Sequence, residues 1–251
     1  MTDAPRPPET LTLPARGFRI DPRRALIAAA VLWTACFAAV WAVKSGANAS
    51  FDSAGLLLWR TGPDLHARGA TWLTEGVRDF TALGGVLLRH IVALGALAAL
   101  LFLRLRREAV LLAGTIMSGW IVNSLLKALV GRDRPTIVPH LTEAAGQSFP
   151  SGHSFNSAVV FIAIALAFAA LSPRQSVRVT LIASAMLLTV LIALSRVWLG
   201  VHWPTDVIAG WTGGAAWAFT ASALLYRPAK AVAEHASDAL EGVTPGEVSA
   251  E

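Results

Sequence analysis

The sequence predicts an all-α integral membrane protein: a six-transmembrane-helix bundle with both termini cytoplasmic. Three observations carry this expectation. Hydrophobic residues make up 55% of the 251 residues and charged residues only 15%, with a mean hydropathy of +0.56. A soluble domain of this size needs more charge to face water. The apolar residues come in runs of roughly 20, the length that crosses a bilayer as helix. Arg and Lys, finally, gather in alternate connections.

The six expected spans are Ala25–Val43, Leu83–Leu103, Ala109–Val130, Ser154–Leu171, Val179–Leu194 and Thr205–Tyr226. Arg6, Arg16, Arg19, Arg23 and Arg24 precede the first. Arg104, Arg106 and Arg107 lie between the second and third, Arg174 and Arg178 between the fourth and fifth, and Arg227 and Lys230 after the sixth. An even number of crossings separates these groups, so all share one side. The positive-inside rule makes that side cytoplasmic. Segments 131–153 and 195–204 then face outward, toward the periplasm or exterior of a bacterial-type inner membrane.

The first span is followed by "ANAS" (Ala47–Ser50), which imitates a signal-peptide cleavage site. Its 19-residue apolar core exceeds the roughly 7–15 of a signal sequence, so a retained anchor is expected. Cys36 is the only cysteine and lies within this span, which leaves no disulfide and no cysteine metal cluster. Residues 1–24 read as a disordered cytoplasmic tail, its first 20 residues Pro-rich and aperiodic. Residues 25–226 form the membrane domain, and 227–251 a second cytoplasmic tail. The long outer connection, 44–82, reads as two short amphipathic helices, "SAGLLLWR" and "ARGATWLTEGVRDF", with Trp59 and Trp72 suited to the interface. They either cover the outward site or serve as an interfacial linker. Gly210 and Gly214, four apart in the sixth span, allow close approach of a neighbouring helix.

Three polar clusters at the outer ends of the spans demand explanation. One is "KALVGRDRP", with Lys127, Arg132, Asp133, Arg134 and Pro135; the second is Pro150, Ser151, Gly152 and His153. The third is "SRVWLGVHWPTD", with Ser195, Arg196, His202 and Asp206. The predicted topology places all three on one membrane face. Charges near lipid are expensive and mark polar cavities.

Lys127, Arg134 and Arg196 concentrate positive charge. Arg offers a planar fork for phosphate oxygens, and Lys a compact point charge. Ser151–Gly152–His153 opens a helix, where free N–H groups and the dipole favour an anion and glycine lets the backbone approach. The site therefore asks for a phosphate. His202 lies four residues before Asp206, and Pro204 is placed to open the sixth helix. Asp206 can then accept from one nitrogen of His202 while the other attacks phosphorus. His153 is placed to protonate the leaving oxygen. Arg132 is a possible additional phosphate contact or a rim charge paired with Asp133. Arg89 is expected to snorkel, and His66, His90, His140 and His235 to have no special role. Near the site the acids are Asp133, Glu143 and Asp206, too few for a two-metal centre, so no metal or other cofactor is expected.

These clusters resemble the type-2 phosphatidic acid phosphatase superfamily. Its signature, K-x6-R-P, P-S-G-H and S-R-x5-H-x3-D, occurs here without departure, over a region similar in span order from about Leu83 to Tyr226. The resemblance implies His202 as nucleophile, Asp206 as its partner and His153 as acid. It implies Lys127, Arg134, Ser151, Gly152 and Arg196 as phosphate-holding residues, with Ser195 as a motif position beside them. It further implies a metal-independent phosphohistidine mechanism acting on a lipid phosphate or isoprenyl diphosphate: phosphatidate, phosphatidylglycerol phosphate, a lipid A phosphate or undecaprenyl diphosphate. The partners are that substrate and the bilayer, with no nucleic acid; the oligomeric state is not read. Two alternatives stand beside this. A vanadate-dependent haloperoxidase resembles the same clusters, but six lipid-length spans disfavour that soluble class. A non-catalytic phospholipid-binding or transport protein has no need of His153, His202 and Asp206.

Overall fold

The computed structural model describes residues 21–172 and 174–225. Both expected tails therefore lie wholly or mainly outside the described residues, as do His235 and the last residue of the sixth expected span. Among the described residues the chain forms eight helices and one small hairpin. They are α1 (Pro22–Ser45), α2 (Ala49–Leu57), β1 (Arg60–Thr61), β2 (His66–Ala67), α3 (Thr71–Ala82), α4 (Val86–Phe102), α5 (Arg106–Val130), α6 (Gly152–Ala169), α7 (Gln175–Trp198) and α8 (Pro204–Leu225).

Local chemistry sets the ends of these helices. Asp21 caps α1 by accepting from the Arg23 N–H at 2.9 Å, Pro22 opens the helix, and Gly46 closes it in the left-handed region. Gly131, at φ +63°, ends α5 in the same way. Ser151 caps α6, and Pro204 opens α8 as its fixed φ allows.

Helices α1, α5, α6 and α7 are long and apolar enough to cross a bilayer. A fifth span exists if α3 and α4, bent by 45° at their junction, count as one. The second expected span is thus the straight part of a bent pair. Its bend falls at Leu83–Gly84–Gly85, where two glycines interrupt the helix. Large apolar side chains such as Ile27, Val31, Leu87, Leu94, Val110 and Leu187 face outward, as a lipid-facing surface requires.

The interior is built from small residues. Ala158, Ala163, Ala215 and Ala218 are buried together with Ile162 and Leu166. Without a hydrophobic drive between helices in lipid, close backbone packing and interhelical hydrogen bonds take over. Three indole N–H groups make such bonds to threonine oxygens: Trp33 to Thr220 (3.2 Å), Trp211 to Thr189 (3.0 Å) and Trp217 to the Thr115 carbonyl (3.1 Å). The close approach expected at Gly210 and Gly214 is present. A Cβ on Gly210 would lie 2.8 Å from the Ser151 carbonyl oxygen, and one on Gly214 would collide with the Phe155 carbonyl oxygen. Helix α8 therefore lies directly against the start of α6, with α1 along its other side, where Cys36 approaches Gly213.

Candidate active site

The end of α5 and the starts of α6 and α8 meet at one end of the bundle. The Ser151 N–H donates to the Asp206 carbonyl (3.0 Å), and the Ser148 N–H to the Arg132 carbonyl (2.7 Å). All three sequence clusters converge there.

His202 and Asp206 are almost completely buried, 2% and 0% exposed. Their direct separation, His202 Nδ1 to Asp206 Oδ2, is 3.6 Å, too long for a hydrogen bond. The Ser148 hydroxyl stands between them. It donates to Asp206 Oδ2 at 2.5 Å and lies 3.3 Å from His202 Nδ1. With its one proton spent on the carboxylate, Ser148 can only accept from Nδ1–H. Arg134 Nη1 approaches Nε2 at 3.2 Å, and a guanidinium can only donate. Both neighbours thus select the same tautomer: proton on Nδ1, lone pair on Nε2. Burial pushes the His202 imidazolium down to about 4, well below its ordinary value. The Asp206 carboxylate works against this shift, and the nearby Arg134 and Arg196 charges add to it.

Asp206 is held from several directions. Its Oδ2 also accepts from the Trp203 N–H (3.0 Å), and its Oδ1 from Arg132 Nη1 (2.7 Å). Arg132 Nη2 donates to Asp52 at 2.6 Å. Asp52, 0% exposed, accepts further from the Thr205 N–H (2.9 Å), the Thr205 hydroxyl (2.7 Å) and Asn48. Arg132 therefore bridges two buried carboxylates and lies over the Trp203 ring at 5.0 Å. Asp133, the acid suggested as its partner, is not the one it pairs with.

The expected phosphate-holding residues occupy different parts of this end. Arg134 donates to the carbonyls of Gly146 (3.0 Å), Ala145 (2.8 Å) and Val201 (2.7 Å), which fix its fork beside His202. Burial lowers its pKa, and Asp206 opposes that. Lys127 Nζ donates to the carbonyls of Gln147 and Pro150, both at 2.9 Å. A Cβ on Gly152 would meet nothing closer than 3.9 Å, with Lys127 Cε and the Asn123 amide at its edge, so glycine leaves an open space beside the ammonium stem. Arg196, 3% exposed, donates from Nη1 to the Thr81 hydroxyl (3.1 Å), while its buried Nε has no partner. His153 lies against the α3–α4 bend, its Cδ2 3.4 Å from where a Cβ on Gly84 would be. Ser195 shares Thr81 with Arg196: its hydroxyl lies 2.7 Å from the Thr81 hydroxyl and 2.6 Å from the Ile192 carbonyl, with one proton to give between them. The remaining described histidines are peripheral. His140 bonds the Pro135 carbonyl, His66 is exposed beside Asp64, and His90 packs on Trp120.

Sequence reasoning missed Ser148, Thr81 and Asp52. Ser148 is two residues from the second cluster and carried a signal, a polar residue in a stretch that leads into a buried helix. Thr81 and Asp52 are isolated polar residues 114 and 154 positions from Ser195 and Asp206, and nothing in the sequence ties them to the site.

A family model described as the PAP2 superfamily matches residues 108–229. Phosphatidylglycerophosphatase B of Bacillus subtilis is 36% identical over 148 residues, covering 57% of this chain and 70% of the relative. The chain belongs to the PAP2 superfamily. A lipid A 1-phosphatase of Rhizobium etli is 39% identical over 127 residues, 47% of this chain and 50% of that one. An undecaprenyl-diphosphatase of Sulfolobus acidocaldarius is 30% identical over 120 residues, 46% of this chain and 54% of that one. The chain thus spans about half the length of these two relatives. Among solved structures, a transmembrane PAP2-type phosphatidylglycerolphosphate phosphatase from Bacillus subtilis superposes with a TM-score of 0.69 at 28% identity. That likeness covers 77% of this chain and 93% of the other. The named relatives are phosphoric-ester or diphosphate hydrolases, and this chain shares the fold of the solved transmembrane one.

Proposed function

We propose that the protein is a membrane phosphatase that hydrolyses a lipid phosphate or diphosphate through a phosphohistidine on His202. The carrying observation is the setting of His202: almost fully buried, with Arg134 Nη1 3.2 Å from Nε2 and the Ser148 hydroxyl 3.3 Å from Nδ1, which favours a lone pair on Nε2. Lys127, Arg134, Arg196 and the N–H groups opening α6 at Ser151–Gly152 hold the phosphoryl oxygens. Nε2 attacks phosphorus, and the P–O bond to the lipid breaks. His153 gives its proton to the leaving oxygen. The positive charge that forms on His202 is stabilised, through the Ser148 hydroxyl, by the Asp206 carboxylate, which Arg132 and Asp52 hold in place. Water then attacks the phosphohistidine, with His153 taking its proton, and inorganic phosphate leaves.

No metal enters this scheme. Its support is the donor set: among the described residues no group of three or more His, Cys, Asp or Glu side chains is placed to hold a metal ion. Activity should survive EDTA, and vanadate should inhibit by mimicking the five-coordinate transition state. The six-crossing topology, with both termini cytoplasmic and the site facing outward, belongs to the same reading and rests on the Arg distribution. A reporter active only outside should work when fused at Glu143 and fail at Arg107; the reverse pattern would place the chemistry inside.

The deciding test is phosphate release by purified protein in detergent on phosphatidate, phosphatidylglycerol phosphate, a lipid A phosphate and a prenyl diphosphate. It is paired with quenching in alkaline detergent to trap a base-stable, acid-labile phosphoprotein, which His202→Ala must not form. Turnover by His202→Ala at the wild-type rate would refute the mechanism.

A further inference from the structure

Arg89 lies outside the three clusters, in the first turn of α4. Sequence reading expects it to snorkel toward water. The structure instead buries it, 5% exposed, with Nη1 donating to the Gly84 carbonyl at 2.7 Å and the buried Nε without a partner. Gly84 is also the residue of the α3–α4 bend that faces His153, whose ring carbon would lie 3.4 Å from a Cβ added there. The guanidinium is thus anchored to the same glycine that packs on the expected general acid.

A structural role does not account for this arrangement. One carbonyl does not require a charge, and a buried cation with an idle N–H is costly at membrane depth. Buried polar groups of native proteins find partners, and for a guanidinium the strongest is an anionic oxygen. Lys127, Arg134 and Arg196 are already assigned to the phosphoryl group under attack. Arg89 stands on the side of His153, which is the side where the leaving group departs, because His153 supplies its proton.

Building on the phosphatase reading, we infer that Arg89 binds a second phosphate carried by the leaving group. The substrate class is then a lipid with two phosphates, such as a prenyl diphosphate or phosphatidylglycerol phosphate, in preference to a lipid monophosphate such as phosphatidate. With a diphosphate, the departing group is a phosphate monoester whose charge grows as the P–O bond breaks. A cation already in place beside it stabilises that charge in the transition state.

The test is kcat/KM of wild type, Arg89→Met and Arg89→Lys on a prenyl diphosphate, phosphatidylglycerol phosphate and phosphatidate in identical micelles. Wild type should prefer at least one two-phosphate lipid. In Arg89→Met the ratio of that activity to phosphatidate activity should fall about 10–100-fold, the worth of one charge-assisted hydrogen bond. Arg89→Lys should fall between the two. The ratio is taken within one preparation, so a partly unfolded variant does not distort it. A fall only with the diphosphate places the second phosphate directly on the scissile bond; a fall only with phosphatidylglycerol phosphate places it across the glycerol. An unchanged ratio, whether activity drops equally on every lipid or on none, overturns the assignment. Wild-type protein that releases phosphate from none of the three overturns the phosphatase reading and the assignment with it.

Discussion

The stretch from α5 to α8 and the stretch from α2 to α4 contribute to the site in opposite ways. The first brings the groups proposed to meet the phosphate: Lys127, Arg134, His153, Arg196 and His202. The second brings Asp52, Thr81 and Arg78, and each holds a part of the first from behind. Asp52 grips Arg132 and Thr205, Thr81 meets Ser195 and Arg196, and Arg78 donates to the Leu141 carbonyl at 2.7 Å. The family model begins at residue 108, so it covers the first stretch and not the second. The proposed reacting groups thus lie in sequence clusters, while the supports from the second stretch are single, scattered residues.

The sharpest way to break this division is to compare losses across it. His202→Ala should be the most damaging change, costing on the order of 10⁵-fold or more in kcat on every substrate, as for other covalent nucleophiles. His153→Ala should cost roughly 10²–10⁴-fold on phosphatidate, whose alkoxide needs a proton, and far less on an aryl phosphate. Equal loss on both would make His153 a phosphate ligand. Asp52→Asn tests the other side of the comparison. It leaves every reacting group in place but frees Arg132 from one carboxylate, and should lower kcat about 10–100-fold, as other outer supports do. The readout that separates this from simple destabilisation is the split between kcat and KM in folded, gel-filtered protein. A change in KM alone would show that Asp52 supports binding and not the His202–Asp206 arrangement. Thr81→Val should be milder, raising KM by roughly 3–10-fold through loss of one hydrogen bond to Arg196.

The smallest expected effect is that of acid. Because burial holds the His202 imidazolium down to about 4, the nucleophile stays neutral as pH falls from 7 to roughly 5. Protonation of the nucleophile should therefore impose no acid limb on kcat/KM until pH drops through about 4. An acid limb near the ordinary histidine value would mean that His202 is far better solvated than its 2% exposure implies.

Much of this was legible in the sequence, for identifiable reasons. Runs of apolar residues fix helices because a bilayer leaves the backbone no other partner, and α1, α5, α6 and α7 lie close to where those runs predict. Lys127, Arg134, His153, Arg196, His202 and Asp206 stood out because charge in an apolar context is expensive. The bend between α3 and α4 was hidden, since apolar residues continue through Leu83 and hydropathy does not register direction. Ser148 was hidden because a serine in a loop is ordinary until its hydroxyl is found between two buried side chains. The Arg132–Asp133 pairing was inferred from adjacency, but neighbouring residues on an irregular loop need not face each other. Arg89 was misjudged because a cation near a helix end usually reaches for water, and only the packing of the bend reveals that it turns inward.

Helix α8 carries the loop and carboxylate of the proposed nucleophile, and α6 opens at the residues proposed to hold the phosphate and supply the acid. What sets the distance between them is the absence of atoms at Gly210 and Gly214. A Cβ at Gly210 would press on the carbonyl of Ser151 itself, and one at Gly214 on the carbonyl of Phe155 one turn farther along. The seam therefore works as a caliper closed to its stop: the jaws rest on bare backbone, and the gap at the tips cannot narrow. A single methyl group added at either glycine would reset it.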